Sequence, residues 1–252
     1  LIVRTRRFHP AAFTLVELLV VIFVIAVLIA ITLPALRGAR VSSQRLQSLS
    51  NLRQCAVTFE TYVGASGAYP FGTGALVCPT PGWCFGLQFE AWAIERHWNV
   101  FVQDIAPWRE HYRVWLSPGA DPERFEALWR EDDPVGISNG AIPSYRYSTT
   151  FIASPRVWTS GYEPAASDIR AISPSEVLFP SNKVLLSDEE TTYEQGDRAS
   201  LSRRPVLFAD SSAALRSDND AAPPVQNPLS SRHPKRFQDT PDGVHGRDFS
   251  VR

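Results

Sequence analysis

From Phe13 to Leu36 the chain reads FTLVELLVVIFVIAVLIAITLPAL, with a single charged residue, Glu17. A run of about 20 apolar residues can cross the ~30 Å hydrocarbon core of a bilayer as a helix. Such a segment must be covered by lipid or by other apolar helices, which limits what the rest of the chain can be built around. The leader before it, LIVRTRRFHPAA, is basic, and Arg4, Arg6 and Arg7 favour a cytoplasmic N-terminus. Glu17 is the anomaly. A carboxylate at the bilayer centre costs about 2.5–3.5 kcal/mol on translocon scales, and less near an end, so this one needs a partner. A secretory signal peptide has a shorter apolar region, about 7–15 residues, followed by a small-residue cut. Here Leu33-Pro34-Ala35-Leu36 leads into Arg37 and Arg40 instead. A plain signal anchor fits the length and the charge bias but leaves Glu17 unexplained. The chain opens on Leu1 and has no Met, which leaves the length of the leader open.

The string Ala12-Phe13-Thr14-Leu15-Val16-Glu17-Leu18 resembles the processing site of type IV prepilins and type II secretion pseudopilins. The resemblance implies that a prepilin peptidase cuts between Ala12 and Phe13 and methylates the new amine of Phe13. It also implies that Glu17 is the assembly carboxylate, accepting the N-terminal amine of a neighbouring subunit. The sequence departs from the family at Ala12, where Gly is usual. The implied fold is α+β and pilin-like, a long N-terminal helix packed on an antiparallel β-sheet head. The implied function is that of a structural subunit, not an enzyme, in a type IV pilus-like filament or type II secretion pseudopilus. Its partners would be prepilin peptidase, other pilin-like subunits and the inner membrane. The alternative is a membrane-anchored extracytoplasmic binding module. The expected divisions are a leader over 1–12, a transmembrane or filament-core helix over 13–36, an amphipathic helix half over 37–63, a β-rich head over 64–217 and an irregular tail over 218–252.

Helical periodicity continues past the apolar run. Leu49, Leu52, Ala56, Phe59 and Val63 recur in steps of three and four, with Leu46 nearby, and mark one face of a helix. The reading is one helix from Thr14 to Val63, kinked or loosened at Pro34, which cannot donate its backbone hydrogen bond. Gly64-Ala65-Ser66-Gly67 ends it with a left-handed cap. Beyond that, Leu87 to Trp98 reads as a helix or a strand pair, Val100 to Trp108 as a short helix, and Arg113 to Leu116 as a short strand. Pro122 to Arg130 reads as a helix started by Asp121. Ser144 to Ile152 alternates and reads as a strand. A turn at Pro180-Ser181-Asn182 separates two apolar triplets, and Pro205 to Leu215 reads as a strand pair.

The chemistry-bearing residues point to no enzyme motif. With a net charge of −1 and no basic block beyond the leader, the chain lacks the cationic face that nucleic acid requires. Cys78 and Cys84 bracket the turn-rich PTPGW, and two readings stand for them, a small disulfide or two free thiols. Cys55 reads as a buried small hydrophobe. His97, His111, His233 and His245 read as scattered surface or packing residues. No metal site is expected from the cysteines and histidines. Asp188-Glu189-Glu190 and Asp218-Asn219-Asp220 offer oxygen ligands suited to calcium, although solvated turn acids would look the same. The seven Trp can fill a core or stack on sugars. Finally, the C-terminal half resembles the large pilin-like subgroup whose head carries a His, nine residues, then Asp-Gly. Asp210 matches its Asp, while Ser200 and Ser211 replace the His and the Gly.

Overall fold

The computed structural model describes residues 14–72, 92, 94–121, 123, 143–189, 203–230 and 232–250. The chain divides into two compact units, Leu1–Ser43 and Gln44–Arg252. Helix α1 runs from Leu15 to Ser66, with Pro34 inside it. In the first unit every described residue from 14 to 40 is exposed. The side chains on display are Val, Leu, Ile and Phe. This is one helix long and apolar enough to cross a membrane.

In the second unit the same helix is amphipathic in the ordinary sense. Leu49, Leu52, Cys55, Ala56 and Phe59 are buried, while Arg53, Val57 and Glu60 face outward. Leu46 is exposed rather than part of the stripe, and Val63 is half-buried. Ser66 donates its hydroxyl to the Tyr62 carbonyl, and the Gly67 N–H closes on the Val63 carbonyl at 2.8 Å. Gly67 has φ of 76°, the left-handed end at which a glycine carries no Cβ penalty.

The head is built on a four-stranded antiparallel sheet in sequence order, β1 (Tyr145–Tyr147), β2 (Val184–Asp188), β3 (Arg204–Phe208) and β4 (Ala213–Arg216). The fold is therefore α+β, a long N-terminal helix with an antiparallel sheet. Alternation along the strands sorts the side chains into two cores. Tyr145, Tyr147, Leu186 and Leu207 join Leu52, Cys55, Ala56 and Phe59 of α1 in the larger one. Val184, Val206 and Phe208 join Ala221, Phe237 and Phe249 in the smaller one. Among its described residues, the segment after Asp218 contains no strand longer than an isolated bridge, Ala221 with Phe249. It nevertheless covers the second face of the sheet, which the expectation of an irregular tail did not foresee.

The larger core is unusually aromatic. Phe59 lies 5.2 Å from Trp98 and 5.3 Å from Tyr147 between ring centroids, and Trp98 lies 5.3 Å from Trp115. The Trp98 indole donates to the Tyr145 carbonyl at 2.8 Å, so the polar end of a fully buried ring is satisfied. Trp92, Trp98, Trp108, Trp115 and Trp158 are all buried. A sugar-stacking surface made from these five is excluded; Trp83 and Trp129 lie outside the described residues.

Three expected elements differ. Arg113 to Leu116 is not a strand, because Trp108, Tyr112 and Trp115 bury one face of helix α3 (Trp108–Trp115). The short helix expected over 100–108 is a 3-10 turn at Trp98–Val102 that follows helix α2 (Ile94–His97). The strand expected over 144–152 stops at Tyr147. Ser148 donates to the Phe237 carbonyl, and Thr149 bonds Gln238 through both its N–H (3.0 Å) and its hydroxyl (2.6 Å). These side-chain and backbone bonds to the C-terminal segment replace the ladder, and Thr149–Ile152 turns as a 3-10 helix. Of the helix expected over 122–130, only Glu123 is described, and its N–H bonds the Asp121 carboxylate at 3.0 Å.

The strand pair expected over 205–215 is β3 and β4, turned at Asp210-Ser211. The Asp210 carboxylate accepts the Ser212 N–H at 3.0 Å, and the Ser211 N–H bonds the Phe208 carbonyl at 3.0 Å. Ser211 sits at φ of 65°, the left-handed region that a Gly would occupy without strain. Its hydroxyl donates to Glu60 of α1. A β-branched residue is least tolerant of this conformation, so Ser211→Val is expected to cost about 1–2 kcal/mol in chemical denaturation. Ser211→Gly is expected to stay close to the parent.

Candidate functional site

Of the residues assigned by sequence to processing and assembly, Ala12 and Phe13 lie outside the described residues, and Glu17 is in place at the start of α1. Thr14 stands before the first helical turn. Its N–H and its hydroxyl both donate to Glu17 Oε2, at 2.9 and 2.8 Å. The Glu17 N–H returns to the Thr14 hydroxyl at 3.2 Å. This is a reciprocal capping box, which satisfies helix N-terminal donors that would otherwise be orphaned. The T-x-x-E spacing, Thr14 to Glu17, is the sequence signal of such a box. Glu17 thus has a local partner within one chain, and it also lies in the exposed apolar stretch where a neighbouring helix could reach it.

In the head, three of the acids singled out for calcium, Asp188, Glu189 and Asp218, already have partners. The buried Asp188 carboxylate accepts the Ser48 hydroxyl at 2.7 Å and the Ser117 hydroxyl at 3.0 Å, pinning α1 and the end of α3 to β2. Glu189 lies 3.9 Å from Arg146, and burial raises its carboxyl pKa. Glu190 lies outside the described residues. Asp218 is paired with Arg204 and belongs to a 3-10 turn that Ser217 caps. Among the described residues no group of three His, Cys, Asp or Glu is placed to hold a metal. Cys55 is buried and its thiol is pushed above its ordinary range by burial, as expected of a small hydrophobe. Cys78 and Cys84 lie outside the described residues.

The histidines do not converge. His97 is mostly buried at the end of α2, and burial, with the charges of Arg146 and Arg96, pulls it down to about 4. His111 stacks on Trp115. Two polar clusters that the sequence did not signal are better built. Glu95, almost fully buried in α2, receives Arg232 at 2.8 Å and Lys235 at 3.2 Å from the C-terminal segment. Lys183, Thr240 and Asp248 form a second buried set between β2 and that segment. Their residues are far apart in sequence and have no motif spacing, so nothing short of the fold could have joined them.

No curated protein and no solved structure matches the chain. One family model does match, described as the prokaryotic N-terminal methylation motif, over residues 7–33. That segment holds Ala12, Phe13, Glu17 and most of the exposed apolar helix. By this motif and the long N-terminal helix that carries it, the chain bears the signature of the type IV pilins and pseudopilins.

Proposed function

We propose that the protein is a structural subunit of a type IV pilus-like filament or a type II secretion pseudopilus. The observation that carries the reading is the methylation motif on a helix whose apolar residues from Leu15 to Leu36 are all uncovered. In the membrane, lipid covers them. In a filament, the same segments of neighbouring subunits take its place. Prepilin peptidase would remove Leu1 to Ala12 and methylate Phe13, and the new amine would pair with Glu17 of a neighbour. The head, rich in buried aromatics and internally paired carboxylates, supports a structural part better than a catalytic one. The N-terminus would lie in the cytoplasm and the head on the far side of the inner membrane, consistent with the arginines of the leader.

Co-expression with a prepilin peptidase tests this. The purified protein is expected to begin at an N-methylated Phe13, read by intact mass and N-terminal peptide mapping. Ala12→Gly should be cut at least as well as the parent. An uncut chain, or one cut beyond Ala35, would remove the basis for the filament reading.

A further inference from the structure

The chain uses Arg for all but two of its basic side chains; the lysines are Lys183 and Lys235. One of the two is fully buried. Lys183 Nζ lies 3.3 Å from Asp248 Oδ2, with side-chain exposures of 0% and 2%. Thr240 stands between them. Its hydroxyl accepts from Lys183 Nζ at 2.7 Å and donates to Asp248 Oδ1. The other carboxylate oxygen, Oδ2, accepts the Val184 N–H at 2.7 Å. The chain neighbours of Lys183 and Asp248, Val184 and Phe249, belong to the smaller core. Burying an ammonium and a carboxylate together is costly, and hydrophobic residues of similar size often serve stability as well or better. A guanidinium, the cation preferred elsewhere in this chain, cannot act as an amine nucleophile. A primary amine held dry against a carboxyl can.

We propose that Lys183 and Asp248 condense to an intramolecular isopeptide bond, a covalent staple that ties β2 to the C-terminal segment. The step needs no external reagent. A proton passes from the ammonium to the carboxylate, giving the neutral amine and acid, the pair that a low-dielectric site favours over separated charges. The Nζ lone pair attacks Cγ of Asp248. Oδ2 carries the developing negative charge, and the Val184 N–H is already aimed at it. Oδ1 leaves as water. Thr240 bridges the amine and Oδ1, so its hydroxyl can take a proton from the attacking nitrogen and pass one to the departing oxygen. The C–N bond forms, the C–Oδ1 bond breaks, and the ion pair is converted to an amide and one water. Burial holds the Lys183 ammonium below its ordinary range against the opposing pull of Asp248 and Asp239, which is the direction a nucleophilic amine needs. Amide formation is favoured further because the site excludes the water that would reverse it.

The test is mass spectrometry of the full chain purified in detergent. The parent is expected to weigh less than its sequence by one water. Its tryptic map should lack cleavage after Lys183 and contain a branched peptide joining Lys183 to Asp248. Asp248→Ala should restore the lost mass and the cut. Thr240→Val keeps the size of the side chain and both condensing partners. It is expected to slow water loss by about a hundredfold in a time course after synthesis. Parent protein of full mass, with Lys183 and Asp248 on separate peptides after long incubation, would overturn the proposal and leave a buried ion pair. Water loss in Thr240→Val at the parental rate would remove the relay role assigned to that hydroxyl. This staple does not depend on the filament reading, since it concerns the head alone.

Discussion

Leu52→Asp is expected to unfold the head. Leu52 is fully buried on α1, in the same core as Phe59, Trp98, Tyr145 and Leu186. Truncating a buried Leu to Ala typically costs about 2–5 kcal/mol. Asp adds the penalty of a carboxyl placed in an apolar core, whether it stays charged or takes up a proton, so the total should be about 4 kcal/mol or more. Against a typical domain stability of about 5–15 kcal/mol, that loss leaves little or nothing. The buried Trp98 and Trp115 should report it through their fluorescence in urea titrations of the detergent-solubilised chain. Val57→Asp is the control on the same helix. Val57 is 62% exposed, and a substitution there should shift stability by no more than about 0.5 kcal/mol. Equal melting of Leu52→Asp and the parent would mean that this face of α1 covers nothing.

That prediction could be written from sequence, and the reason shows where sequence reading works. The stripe Leu49, Leu52, Ala56, Phe59 is a local pattern with a fixed period, and the fold buries it as a unit. The hairpin at Asp210-Ser211 was legible for a similar reason, since two apolar runs flank a turn-forming pair. Local pattern misled where a distant segment intervened. Ser144 to Ile152 alternates like one strand, yet Phe237 takes the hydroxyl of Ser148, and Gln238 takes both the N–H and the hydroxyl of Thr149. Arg113 to Leu116 reads as extended when Trp108 is placed in the preceding segment and Tyr112, which completes the helical phase, in none. The buried sets around Asp188, Glu95 and Lys183 were not legible at all. Asp188 reads as one of three turn acids, and only the tertiary fold brings Ser48 and Ser117, respectively 140 and 71 residues away, onto it. Phe237, Val244 and Phe249 sit in a polar, Pro-rich stretch whose composition says loop, and loop it is, but one that closes a core. For the N-terminal site the balance is reversed. The motif is plain in the sequence, and the structure adds the capping box between Thr14 and Glu17.

That box sharpens the test of Glu17, because the residue now has two candidate roles. As a cap, its carboxylate stabilises the first turn of α1 through Thr14. Loss of such a cap costs about 0.5–2 kcal/mol within one subunit. As an assembly residue it would neutralise the Phe13 amine of a neighbour in an apolar bundle. Breaking one side of a buried pair costs about 3–5 kcal/mol per contact. Glu17→Val abolishes both roles. Glu17→Gln keeps a side chain that can serve the capping box but carries no charge. Membrane insertion should survive in each variant, since both lower the charge of the apolar run. Cleavage before Phe13 should be largely retained, because the cut bond is several residues away. Filament assembly should fail or slow sharply in Glu17→Val, and Glu17→Gln should fail with it, because the larger of the two costs is electrostatic. Filaments sheared from cells carrying each version, fractionated and probed beside the N-terminal mass, give the answer. Rescue by Gln would assign Glu17 to capping alone. Entry of both variants into filaments as readily as the parent would deny the carboxylate any assembly role and favour an anchored binding module over a filament subunit.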